Sequence, residues 1–232
     1  MKRFYKQASV GEAEGGWRVL LDGRAIKTAA GKPQIVPAKA LAEALAREWA
    51  DQGEDIDTAS FPLRDLADFA LDAVAGDRAA TIAELVKYAG TDTLCYRGDE
   101  GEALHQRQLE VWEPLLCAAE ERWDVYFTRI SGIVHQPQPD ETLARMATIL
   151  EAENTFTLAA LRMLVSLSAS LVIGLAAIAP DADAEALWAA ANLEEDWQAE
   201  LWGQDAEAEA RRQTRFEAFA TAMRFAGLAR DT

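Results

Sequence analysis

The stretch LWAAANLEEDWQAELWGQD, residues 187–205, sets three of the chain's seven tryptophans among carboxylates. Carboxylates in such a setting can do two kinds of chemistry. A pair of them can act as general acid and base. A single one, partly desolvated by aromatic neighbours, can grip an arginine or an N–H donor on another molecule. From Asp181 to Ala210 there are ten acidic residues and no Lys or Arg. On one continuous helix a spacing of seven is close to two turns. Trp188, Glu195 and Trp202 then share a stripe flanked by Ala191, Gln198 and Ala199, with Ala186, Ala190, Leu193, Trp197 and Leu201 opposite. Two readings fit this pattern. In one, the tryptophans are core residues and Glu195 pairs with a buried arginine. In the other, the stripe is a protein-binding face on which indoles make the contact and the carboxylate fixes register.

The rest of the chain offers little catalytic chemistry. It has no GxGxxG, GxxxxGK[ST], GxSxG or HExxH motif. His105 and His135 are isolated from each other, a poor start for a metal site. Asp65, Asp68 and Asp72 fall at helical spacings of three and four and read as a solvated helix face. No metal or cofactor is expected. Cys95 and Cys117 lie among apolar residues with no CxxC, and read as reduced core thiols.

The elements that must carry these residues are of two kinds. GWRVLLDGRAIKT is two β-type runs around Asp22-Gly23, a hairpin turn in which both central residues need positive φ. AAGKPQIVP reads as a further turn and strand. Helical periodicity then takes over, beginning with Leu41, Leu45 and Trp49 on one face. DTLCYR and VYFTRI read as short extended pieces, and Asp140 as an N-cap. Met163–Ala179 is uncharged and reads as a single central core helix, at the lower edge of membrane-spanning length. Gly203 and Asp205 read as the end of one helix and the cap of the next. The expected class is α+β, with a β-rich domain at residues 1–60 and a helical domain at residues 61–232.

The 232 residues carry a formal net charge of -16. That charge disfavours nucleic acid and anionic membranes as partners and suits a basic one. The N-terminus, MKRFYKQASVGEAEGGW, shows no apolar signal region or Arg/Ser-rich presequence, so a cytoplasmic location is expected.

LEEDWQAELWGQDAEA resembles the signature of the assembly chaperones that handle the alpha subunit of the F-type ATP synthase, a family of mitochondria and alpha-proteobacteria. RFYK (3–6), VLLDGRAIKT (19–28), VPAKALAEALAREWADQ (36–52), FPLRDLA (61–67), YAGTDTLCYR (88–97) and QLEVWEPLL (108–116) match it in the same order. Ala29 stands where the family usually has proline, and Phe61 where it often has methionine. The resemblance implies a β-rich domain followed by a helical one, and a non-enzymatic chaperone that holds unassembled alpha subunit. It also implies that the glutamate of the E-D-W-Q element, Glu195, is needed for activity. The expected partner-binding residues are Glu195, Trp202 and Trp188, with Asp196 and Gln198 as minor polar contacts. The free protein is expected to be monomeric. The alternatives are a carboxylate enzyme working in an inter-domain cleft and a generic acidic scaffold.

Overall fold

The structure, a computed structural model, describes residues 1–132, 135–203 and 205–230. It begins with an antiparallel meander: β1 (Ala8–Ala13), β2 (Gly16–Leu21) and β3 (Arg24–Ala25), in that order across the sheet. Val10 faces Val19 in the β1–β2 register. Asp22 and Gly23 take φ of 49° and 79°, the positive values expected of the turn. The Asp22 carboxylate accepts the backbone N–H groups of Gln7 and Lys6 at 2.9–3.1 Å, which holds it below the usual carboxylate range. The strand expected in AAGKPQIVP is reduced to isolated bridges, Lys27 to Pro33 and Trp17 to Val36. Pro33 has no N–H to give a longer ladder.

Helix α1 (Lys39–Ala50) packs on β1 and β2 with Leu41 and Leu45 fully buried. Its Glu48 caps the next helix, α2 (Pro62–Phe69), accepting the N–H groups of Leu63 at 2.7 Å and Arg64 at 2.9 Å. Those two donors have no partner within α2. Glu48→Ala is expected to cost about 1–2 kcal/mol of stability, read by urea denaturation. Asp68 and Asp72 are not the solvated face expected of them. Asp68 accepts the Ala29 N–H at 3.0 Å, and Asp72 accepts the Ala30 N–H at 3.0 Å and the Thr28 hydroxyl at 2.7 Å. They clamp the loop that follows β3, and burial pushes the Asp68 carboxyl up. Only Asp65, paired with Arg64 at 2.6 Å, keeps the surface role.

The later helices are α3 (Arg78–Gly90), α4 (Ala103–Trp123), α5 (Asp140–Ala152), α6 (Thr155–Ser168), α7 (Leu171–Ala177), α8 (Ala184–Ala191), α9 (Leu193–Trp202) and α10 (Ala206–Leu228). Only the ends of the two expected extended pieces are strands: Tyr96–Arg97 of DTLCYR forms β4, and Ile130 of VYFTRI opens the parallel β5 (Ile130–Ser131). Pro139, not Asp140, is the N-cap of α5, and Asp140 sits in the first turn, where its charge still suits the helix dipole. The class is α+β as expected.

The uncharged run is two helices, not one. Ala169 takes a φ of 51° and ends α6. Ser170 then caps α7 by accepting the Ile173 N–H at 3.0 Å. Gly174 allows the two to pack closely: a Cβ there would lie 2.5 Å from Val165 Cγ2. Among the described residues, no helix is long and apolar enough to cross a membrane. Cys95 is buried, and burial pushes its thiol up to about 12. Cys117 is exposed on α4, against expectation, because it lies on the solvent side of a helix whose Trp112 and Leu116 turn inward.

By compactness the chain divides differently from the element-type division at residue 60. One unit is Met1–Arg78 with Asn154–Ala160 and the described residues from Thr221 on; the other is Ala79–Glu153 with Leu161–Ala220.

Candidate functional site

The acidic tryptophan stretch is broken at Asn192, which ends α8 and opens α9. The Asn192 side chain donates to the Trp188 carbonyl at 2.8 Å, and Trp112 donates its indole N–H to the Ala190 carbonyl at 2.8 Å. The Trp188 carbonyl also accepts the Asn192 backbone N–H at 3.1 Å, whereas the Trp112 bond serves a carbonyl at the helix end that a continuous helix would pair itself. The break separates the stripe. Trp188 is only 5% exposed and packs on Phe216 and Phe219 at ring distances of 6.1 and 5.5 Å. It is therefore not a surface contact, contrary to the reading that set it on one face with Glu195 and Trp202.

Helix α9 is held by polar clamps. Gln108 donates to Glu194 at 2.7 Å. Arg107 makes a two-bonded pair with Glu200 at 2.7 and 2.9 Å and lies over the Trp197 ring at 5.7 Å. That hydrogen bonding lowers the Glu200 carboxyl and raises the Arg107 guanidinium. Asp196 accepts from Arg212 of α10 at 2.7 Å. Burial pushes the Asp196 carboxyl up, and Arg212 opposes that push. Leu193 is buried beneath the helix. Leu201, expected on the packed side, is 59% exposed, and Trp202 beside it is 85% exposed.

Between α9 and the start of α10 runs an open groove of about 320 Å³. Glu195, Asp196, Gln198 and Trp202 line one side, and Asp205, Glu209 and Arg212 the other. Four carboxylates thus face one guanidinium. Asp205 accepts the Glu207 N–H at 3.3 Å, which fits its expected capping place. Glu195 is not sealed in. Its side chain is 65% exposed, and the nearest cation, Arg215, stands 3.8 Å away. Arg215 lies over the buried Trp188 ring at 5.5 Å and donates to the Leu167 carbonyl at 3.0 Å. Trp188 thus serves Glu195 indirectly, as the platform under the arginine that faces it. Among the described residues, no cluster of His, Cys, Asp and Glu could hold a metal ion. The chemistry on offer is a negative trough beside an exposed Leu-Trp step, suited to a segment with cationic and apolar side chains.

The sequence profile of the ATP12 chaperone protein family matches residues 2–120. The chain belongs to the ATP12 chaperone family. The profile match ends before the groove, but likeness to solved ATP12 structures runs through it. The crystal structure of Atp12 from Paracoccus denitrificans shares 38% identity and a TM-score of 0.94, covering 99% of this chain and 98% of that one. The Atu1473 protein from Agrobacterium tumefaciens shares 36% identity and a TM-score of 0.94, covering 99% of this chain and 86% of its own. The mitochondrial protein atp12 of Schizosaccharomyces pombe is 28% identical over 215 residues, 87% of this chain and 74% of that protein.

Four of the five expected binding residues of this ATP12-family chain, Glu195, Asp196, Gln198 and Trp202, come together in the groove. Sequence reasoning missed the arginines in and around it. Arg212 and Arg215 are among the first basic residues after the acidic run, three apart on α10, and this was the available signal. Arg107, 93 residues from Glu200, left none.

Proposed function

We propose that this chain is an assembly chaperone of the F-type ATP synthase. It binds the unassembled alpha subunit through the α9–α10 groove and masks the surface that alpha later presents to beta. The observation that carries this reading is the open, acid-lined groove with exposed Trp202 and Glu195 at its mouth, in a chain of the ATP12 chaperone family. Unassembled alpha exposes an apolar interface, and such patches aggregate. An apolar and acidic face can cover the patch, while the chaperone's charge speeds capture of basic surface. Release needs no chemical step, because the larger alpha–beta interface displaces a smaller one. The groove therefore holds a polypeptide rather than transforming a small molecule. The chaperone acts as a monomer, in the cytoplasm of a bacterium.

Glu195→Lys tests this directly. The one ion pair of Glu195 among the described residues is long and exposed, so the substitution is expected to shift folding stability by less than about 1 kcal/mol. Far-ultraviolet circular dichroism should be unchanged, while light scattering shows isolated alpha subunit aggregating as if no chaperone were present. Full protection by the variant, or loss of protection only together with loss of helix, sinks the reading.

A further inference from the structure

The first 39 residues carry eight Lys and Arg against three Asp and Glu, in a chain whose formal charge is -16. Part of this basic excess borders a second open groove, of about 580 Å³, beside the sheet. Phe4, Arg24, Ile26 and Lys27 line it, with Trp49 and Asp22. Phe4 is 66% exposed, an unusual position for a phenylalanine. The one carboxylate in the groove, Asp22, is taken up by the backbone N–H groups of Lys6 and Gln7. Arg24 and Lys27 take part in no ion pair among the described residues.

The sheet edge here is open as well. β3 is the last strand in the order β1-β2-β3. Ile26 donates its N–H to the Val19 carbonyl at 3.2 Å, toward β2. In an antiparallel ladder neighbouring residues point their backbone groups in opposite directions, so the N–H and C=O of Ala25 point to the outer side. Such an edge accepts an added strand through main-chain hydrogen bonds, while side-chain contacts set the choice of partner.

We infer that the β3 edge is a second polypeptide-binding site, which takes an extended acidic segment of a partner protein, its carboxylates meeting Arg24 and Lys27 and an apolar side chain meeting Phe4. The preference is opposite in sign to that of the α9–α10 groove. A uniformly charged nucleic acid fits less well, because its long phosphate run would extend over a protein of strongly negative charge.

The test is fluorescence anisotropy on the full chain with a labelled peptide of alternating glutamate and valine. Saturable binding is expected, weakening as salt rises. The double variant Arg24→Glu/Lys27→Glu is expected to weaken it by about tenfold or more, whereas Lys87→Glu, a single charge reversal on exposed α3, alters it by less than about twofold. Circular dichroism of each variant checks that the fold is kept. The inference is overturned by absence of saturable binding, by equal binding of a lysine–valine peptide, or by an equal loss in Lys87→Glu. It is also overturned if a single-stranded oligonucleotide binds more tightly than the peptide. Self-association that Arg24→Glu/Lys27→Glu abolishes overturns it too, since the occupant is then a second copy of this chain.

Discussion

Glu113→Ala is expected to destabilise the protein by about 3–5 kcal/mol, among the largest effects of any single polar substitution here. Glu113, on α4, receives Arg97 at 2.6 Å and Arg129 at 2.7 Å. The Arg97 side chain is only 3% exposed, so removing Glu113 leaves a cation out of reach of water with no carboxylate beside it. Arg129 suffers less, because it keeps its pair with Glu120. Hydrogen bonding from Arg129, with Arg97 adding to it, holds the Glu113 carboxyl down at about 2. Its folded value lies below its unfolded one, so this stabilisation is present above about pH 4.5 and is lost as pH falls toward 2. Urea midpoints across that range check the prediction. The double variant Arg97→Met/Glu113→Leu should recover most of the loss, since apolar side chains avoid the desolvation that a buried pair must overcome. If the double variant is as unstable as Glu113→Ala, the loss comes from packing and not from an orphaned charge.

Asp92→Ala is expected to cost about 2–6 kcal/mol in mild acid and less at neutral pH. The fully buried Asp92 carboxylate accepts the N–H of Leu94 at 3.1 Å and of Val172 at 3.0 Å, tying the turn before β4 to the start of α7. Alanine leaves both donors buried without a partner. Burial outweighs these donors and pushes the Asp92 carboxyl up to about 6 from 3.8. The sign is thus opposite to that of Glu113. A raised carboxyl contributes stability that is fully present below about pH 3.8 and is lost as pH rises through about 6. The variant has no such titration. The stability gap between wild type and Asp92→Ala should narrow by about 3 kcal/mol from below pH 4 to above pH 6. A gap that is constant with pH, or that widens as pH rises, would contradict this account of Asp92.

Both residues explain why parts of the chain were easier to read than others. YAGTDTLCYR and QLEVWEPLL were legible as family segments, yet their work is internal: Asp92 joins α7, and Arg97 meets Glu113. Composition cannot reveal partners so distant in sequence. The Asp22-Gly23 turn and the helical periodicities were legible because they depend on neighbours three or four residues away at most. β1 was missed because ASVGEA has little apolar alternation, and it becomes a strand only by pairing with β2. The stripe of Trp188, Glu195 and Trp202 failed for a related reason. Seven-residue spacing marks one face only while a helix is unbroken, and the break at Asn192 is fixed by Trp112, 80 residues earlier. The acidic run marked an exposed region, because unpaired carboxylates are costly to take out of water. Four of the five residues chosen from it line one groove.

The discontinuous make-up of the first compact unit bears on how the protein is made. Its β-meander and first helices leave the ribosome early, but the described residues from Thr221 on emerge only after the whole second unit has been synthesised. Phe156 and Phe225, whose rings lie 6.3 Å apart in that unit, cannot meet before then. The first unit therefore stays incomplete through most of translation, and closing so long a loop is intrinsically slow. A chaperone of this family would itself be vulnerable to nascent-chain aggregation until α10 arrives.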